Sequence, residues 1–235
     1  MKTSGTMSNA VRSSTRPALR GFLLGAAIVY VLAWIIGLGI SSAFPASDAS
    51  GGTWINFLKS HQGLVVLQEY LIHGLAAIAL VIFAAAVRSS LLRADADRFF
   101  PDLLLAGAVV AASVSLVQAT VGQVVATKAA GTGDQALVQT MLALDNQADT
   151  FKLLALALLI AAGSVSLRQI NAVGSWVSWG GIIAAVLLLL GSWSLPLNSA
   201  VLGIALDLSL LALLAWVLTV GIVLFRKQRS VVTAT

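Results

Sequence analysis

The chain has 235 residues, 59% of them hydrophobic and only 10% Asp, Glu, Lys or Arg, where a soluble domain carries roughly 25% charged residues. Folding alone cannot hide that much apolar surface from water, whereas a bilayer accepts Leu, Val and Ala directly, so the expected fold class is an all-α polytopic membrane helix bundle. The net charge of +5 lies in short basic clusters beside apolar runs, a pattern that orients a membrane protein and does not grip nucleic acid; the lack of cysteine excludes disulfides, thiolate metal sites and thiol catalysis.

Residues 1–19, rich in Ser, Thr and Arg, read as a mobile basic tail suited to anionic lipid or a cytoplasmic protein. A six-span membrane domain over residues 20–226 follows, with a cytoplasmic C-terminal tail at 227–235. Its apolar runs lie near 21–42, 64–87, 102–126, 150–167, 175–195 and 200–225, each suited to a hydrocarbon layer of about 30 Å. The first run exceeds the 7–15 or so residues of a signal-peptide core, so it is expected to be retained as a span. Gly21 and Gly25 give it a GxxxG spacing that permits close helix contact within the bundle or in a homo-oligomer.

After the first span, Thr53 is placed to cap a short surface helix carrying Trp54, Phe57 and Leu58. Asp134 to Gln147 read as a helix leading into the fourth span, with plain connecting loops as the alternative at both places. Pro17, Pro45, Pro101 and Pro196 all fall at or outside the ends of the runs, where a missing N–H does no harm. Every arginine falls on one side: Arg12, Arg16 and Arg20 before the first span, Arg88, Arg93 and Arg98 after the second, Arg168 after the fourth, Arg226 and Arg229 after the sixth. The positive-inside rule then puts both termini in the cytoplasm and requires an even number of spans. Trp176 and Trp179 at one end of the fifth span and Trp193 at the other suit an aromatic belt.

Strongly polar groups are costly in hydrocarbon and default to functional candidates that face the bundle interior. Glu69 and His73 in the second span stand one helical turn apart and share a face. In the third span Ser115, Gln118 and Gly122 fall on one stripe, with Ser113, Thr120 and Gln123 on its neighbour. The fourth span opens with Asp145, Asn146, Asp149 and Lys152, three of which align along one side, and Asp207 stands alone in the sixth. Counted from the outer ends, Glu69 and Asp207 lie roughly 8–11 Å deep and His73 roughly 14 Å, while the inner half is nearly free of polar groups. An outward-facing polar pocket is therefore expected, formed by Glu69, His73, Gln118 and Asp207, with Gln123, Asp149 and Lys152 as secondary candidates. The alternative is a set of mutually satisfied polar pairs that only fix helix register.

A bis-histidine haem needs paired ligands on facing helices, but of the two histidines, His61 and His73, His61 falls at a loop edge. No H-E-x-x-H or G-x-S-x-G signature is present, so no metal, cofactor or catalytic residue is expected. The segments Leu142-Ala143-Leu144-Asp145-Asn146 and Gly174-Ser175-Trp176-Val177-Ser178-Trp179-Gly180 resemble uncharacterised bacterial six-span integral membrane proteins. That resemblance implies a bacterial inner membrane and no particular activity. The functional expectation is a non-enzymatic membrane protein whose pocket binds or senses a small ligand, ion or proton. A proton- or ion-coupled secondary transporter and a membrane partner subunit with a cytoplasmic binding tail are the alternatives.

Overall fold

A computed structural model of the chain describes residues 5–46, 49–197 and 199–232. Among these every element is helical: α1 (Gly5–Ser41), α2 (Gly51–Glu69), α3 (Ala76–Arg93), α4 (Phe99–Val124), α5 (Ala130–Thr132), α6 (Gln135–Gln169), α7 (Ser175–Gly191), α8 (Ser194–Leu197) and α9 (Ala200–Val232). Two π-helical stretches, Tyr70–Leu75 and Val125–Ala129, join α2 to α3 and α4 to α5. The backbone of the expected N-terminal tail is helical from Gly5 onward; residues 1–4 of it, and 233–235 of the C-terminal tail, lie outside the described residues.

Five helical segments are long and apolar enough to cross a membrane: Gly21–Ser41, Gly51–Arg93, Phe99–Thr132, Gln135–Gln169 and Val201–Lys227. The apolar helix Ser175–Gly191 has 17 residues and is shorter than these. Apolar side chains face outward as well as inward, with Phe22, Ile35, Val117, Phe151, Ile183 and Leu211 all exposed. A soluble bundle would show a polar outer face, so this surface is compatible with a membrane location.

The helices form a ring in which neighbours in sequence are neighbours in space: α1 packs on α3, α3 on α4, α4 on α6, α6 on α7, α7 on α9, and α9 closes on α1. Short turns enforce the antiparallel arrangement. Two of them use the same device at the arginine-bearing end. Asp95 and Asn171 adopt positive φ of 56° and 48°, and Ala96 N–H and Ala172 N–H reach back to the carbonyls of Leu91 and Leu167, which closes α3 and α6 in the left-handed C-terminal manner. The interior towards this end is filled by Phe83, Leu104, Leu159, Ile160 and Trp216, with Phe83 and Trp216 meeting edge to face at 6.4 Å and the serines Ser164, Ser166 and Ser178 buried there without any ionisable group among the described residues.

At the opposite end the chain adds a second, smaller core. Ser50 caps α2 by accepting from Thr53 N–H at 3.2 Å, so the expected short helix is present but its cap is Ser50, three residues before Thr53. It bends at His61, whose φ of −125° and ψ of 24° leave the helical region. Before the bend, Trp54, Ile55 and Leu58 are buried against Val125, Ala129 and Val138. Asp134 caps α6 by accepting from Leu137 N–H at 3.0 Å, which makes residues 135–147 a helix continuous with the fourth apolar run.

Gly107 sets how closely α4 and α6 approach. A Cβ there would lie 2.8 Å from the carbonyl oxygen of Ala155 and 2.9 Å from the backbone nitrogen of Leu159. A side chain at this position must push two backbones apart. Gly107→Val is therefore expected to lower unfolding stability in detergent by about 1–3 kcal/mol. Gly180→Val, at an exposed position with nothing within 4 Å, should change it little; equal loss in both variants would show that the close approach is not what matters.

Candidate functional site

The polar residues of three helices meet where the apolar interior gives way to the smaller core. From the helix containing α2 and α3 come Gln68, Glu69 and His73, with 7%, 6% and 6% of their surface exposed. The π-helical stretch begins directly after Glu69 and contains His73; at its end Ala76 N–H donates to the carbonyl of Leu71, five residues back. Such insertions re-aim side chains locally and recur at functional sites. Here Glu69 Oε2 and His73 Nε2 stand 3.9 Å apart.

From α4 come Ser115, Gln118 and Gly122, the stripe read from the sequence, and all three are buried. Gly122 has a specific reason to lack a side chain: a Cβ there would overlap the carboxylate of Glu69. Gln118 donates through Nε2 to the carbonyl oxygen of Asp145 at 2.9 Å and to Asp149 Oδ1 at 3.0 Å. The neighbouring stripe turns outward. Thr120 is exposed and bonded to its own helix at the Leu116 carbonyl, and Gln123 is half-buried.

From α6 come Asp145, Asp149 and Lys152, which share one face at spacings of four and three residues. Lys152 is 3% exposed. Its ammonium pairs with the Asp149 carboxylate, approaches His73 Nδ1 at 3.4 Å, and lies 5.7 Å from the centroid of the Trp34 ring of α1, within range of a cation–π attraction. Tyr30, Trp34 and Ser115 line a small recess beside it with room for about one water molecule. The Asp149 side chain is 32% exposed and gives the cluster its contact with the surroundings.

Of the four principal candidates, Glu69, His73 and Gln118 converge. Asp207 does not. It is exposed on α9 beside exposed Ile204, Leu208 and Leu211, and α9 packs on α1, α3, α7 and α8. The reason is helical phase: Ser209, Leu213, Val217, Val220 and Leu224 are the buried face of α9, and Asp207 precedes Ser209 by about 200° of rotation. The secondary candidates Asp149 and Lys152 take the place expected for Asp207, and Asp145, Gln68 and Trp34 join them. Depth along a span could not distinguish these cases, whereas the 145, 149, 152 spacing already put three ionisable groups on one face.

Several polar atoms in the cluster are buried without a hydrogen-bond partner: Gln68 Oε1, Glu69 Oε2, Gln118 Oε1 and Asp145 Oδ1. Other unpartnered buried atoms among the described residues are the hydroxyls of Thr150, Ser164, Ser178 and Ser194 and the Trp216 indole N–H, so this cluster is where amide and carboxylate acceptors lack donors; such acceptors are costly and point to a site that takes a further donor, be it water, a proton or a cation. One ligand atom each from Glu69, His73 and Asp145 lie within 4.8 Å of one another.

Comparison of the chain with protein-family models, curated proteins and solved structures returned no match. The resemblance noted at residues 142–146 and 174–180 thus gains no support from them, and the site's chemistry is argued from its own geometry.

Gln118→Leu keeps the volume roughly constant while removing both bonds to α6. Asp149 is then left with Lys152 as its only short contact from this group, and we expect a loss of about 1–3 kcal/mol in detergent unfolding. Thr120→Val, on the outward stripe, should cost much less; an equal cost would mean that the α4 to α6 bonds hold nothing together.

Proposed function

We propose that the chain is a six-span protein of the bacterial inner membrane with both termini in the cytoplasm, and that its polar cluster, open towards the outer side, binds or senses a small ligand, ion or proton. The observation that carries this reading is Lys152, an ammonium almost wholly buried in an apolar bundle and held between Asp149 and His73. A charge so placed is expensive, and intramembrane ionisable groups by default mark sites.

The six-span reading is supported by α7. Its 17 residues extend about 25 Å, and exposed Trp176 and Trp179 at one end and exposed Trp193 just past the other suit the two interfaces. The orientation is supported by Arg88, Arg93, Arg98 and Arg168, which fall beside the turns at 94–98 and 170–174, at the end away from the cluster. Binding or sensing is favoured over transport by the packing of Phe83, Leu104, Leu159, Ile160 and Trp216, which leaves the buried ionisable groups, Glu69, His73 and Lys152, at one end of the bundle.

The absence of native cysteine makes labelling direct. On intact cells, a membrane-impermeant maleimide should modify Gly131→Cys and leave Ala94→Cys untouched until the membrane is permeabilised; the reverse pattern would overturn the orientation. A small charged thiol reagent added outside should reach Asp149→Cys but not Ser166→Cys, which lies fully buried in the other half. Equal protection of both positions would remove the outward-facing pocket.

A further inference from the structure

We propose that the cluster is a divalent-cation site, in which Glu69, His73 and Asp145 supply the protein ligands to a metal of the zinc class. This rests on reading the cluster as a binding site and names what it takes. Imidazole with carboxylates is a donor set suited to zinc and its first-row neighbours. The three donors come from two helical segments fixed against α4, and one atom of each already lies within 4.8 Å of the others. A tetrahedral site with bonds near 2.1 Å holds its donors about 3.4 Å apart, so closing on a metal requires the side chains to move by about an ångström, within the reach of carboxylate rotation.

A second observation is independent of that proximity. Glu69 is 6% exposed, and its Oε2 has no hydrogen-bond partner; Asp145 Oδ1 is likewise buried and unpartnered. Gln118 Oε1, at 1% exposure, adds another buried acceptor without a donor. Acceptors without donors are what a cation site looks like before the cation is added. Gly122 contributes by leaving the Glu69 carboxylate free to sit against α4.

Charge counting defines the alternative to be tested. With its acids ionised, the cluster sets the carboxylates of Glu69, Asp145 and Asp149 against the single ammonium of Lys152, an excess of two negative charges that one divalent ion neutralises. Two protons would do the same, and the experiment has to separate these cases.

Lys152 makes the separation possible because it opposes the metal in two ways. Its positive charge lies beside the site, and as a donor to His73 Nδ1 at 3.4 Å it favours the tautomer whose proton is on Nε2, the nitrogen that faces Glu69. Metal on Nε2 requires the imidazole proton to move to Nδ1, which obliges Lys152 to release His73 and keep only Asp149. Removing the ammonium should therefore tighten metal binding, whereas a cluster neutralised by protons gains no metal affinity from the change.

The test uses the untagged full chain purified in mild detergent, stripped with a chelator, then dialysed against Zn²⁺ or Co²⁺. Metal per chain is read by elemental analysis, and the site geometry by the visible absorption of Co²⁺. We expect one metal per chain, a loss of affinity of about tenfold or more in Glu69→Gln and in Asp145→Asn, and tighter binding in Lys152→Met, each variant being checked for a monodisperse elution profile. Because Lys152→Met is expected to gain affinity, misfolding cannot mimic the result. Substoichiometric metal in the native chain, binding indifferent to both carboxylate changes, or weaker binding in Lys152→Met would each overturn the metal assignment. If metal is absent while Asp149→Cys is still labelled from outside, the metal falls and the outward pocket stands; if labelling fails as well, both fall.

Discussion

A protonated amine inside an apolar bundle must be compensated where it sits, and Lys152 imposes that requirement on three neighbouring helices. Its partners are Asp149 one turn earlier on α6, His73 on the helix across the interface, and the face of Trp34 on α1. Asp149 in turn holds Gln118 of α4. Take away the ammonium and two elements of the cluster lose a reason to meet; take away only its partners and a buried charge is stranded, which is the costlier outcome.

The rest of the architecture follows from where that cluster lies. Towards the arginine-bearing end the interior needs only close packing, and it is filled by large apolar groups set against glycines, with Gly163 against Trp216 and Leu104 and Gly107 against the backbone of α6. At the polar end regular helix is interrupted instead. The π-helical stretch at Tyr70–Leu75 starts directly after Glu69, while the one at Val125–Ala129 and the bend at His61 lie beyond the cluster, and α2 adds the smaller core there, with Trp54 and Leu58 buried. Irregular backbone concentrated at one end, beside unpartnered acceptors, is the pattern of a site whose geometry is maintained at a cost in regularity.

Much of this was legible in the residues. Composition and apolar run length announced an all-helical fold with helices long and apolar enough to cross a membrane, and the helix from 135 leading into the fourth run was readable because Asp134 is a strong cap placed before it. The stripe Ser115, Gln118, Gly122 was readable because four-residue spacing fixes a face whatever the neighbours are. Asp207 was misplaced because depth along a span says nothing about rotation about its axis, and only the buried series from Ser209 to Leu224 reveals the phase. Asp145 and Lys152 were underweighted for the opposite reason: near the end of a run, water contact and burial look alike in sequence, and burial here depends on the helices packed around them. Gly122 was placed on the right stripe but its role was not readable, since it leaves space for a carboxylate that lies fifty-three positions earlier in the chain.

The central claim is that Lys152 and Asp149 act as one compensated unit inside the bundle, and a double-mutant cycle in detergent tests it most directly. Stability is measured for Lys152→Met, Asp149→Leu and the two together. If each single change leaves the other charge uncompensated, the double variant will be more stable than the sum of the singles predicts, with a coupling of about 1–3 kcal/mol. Strict additivity would show that the two groups are independently solvated, and the buried polar cluster would lose its foundation.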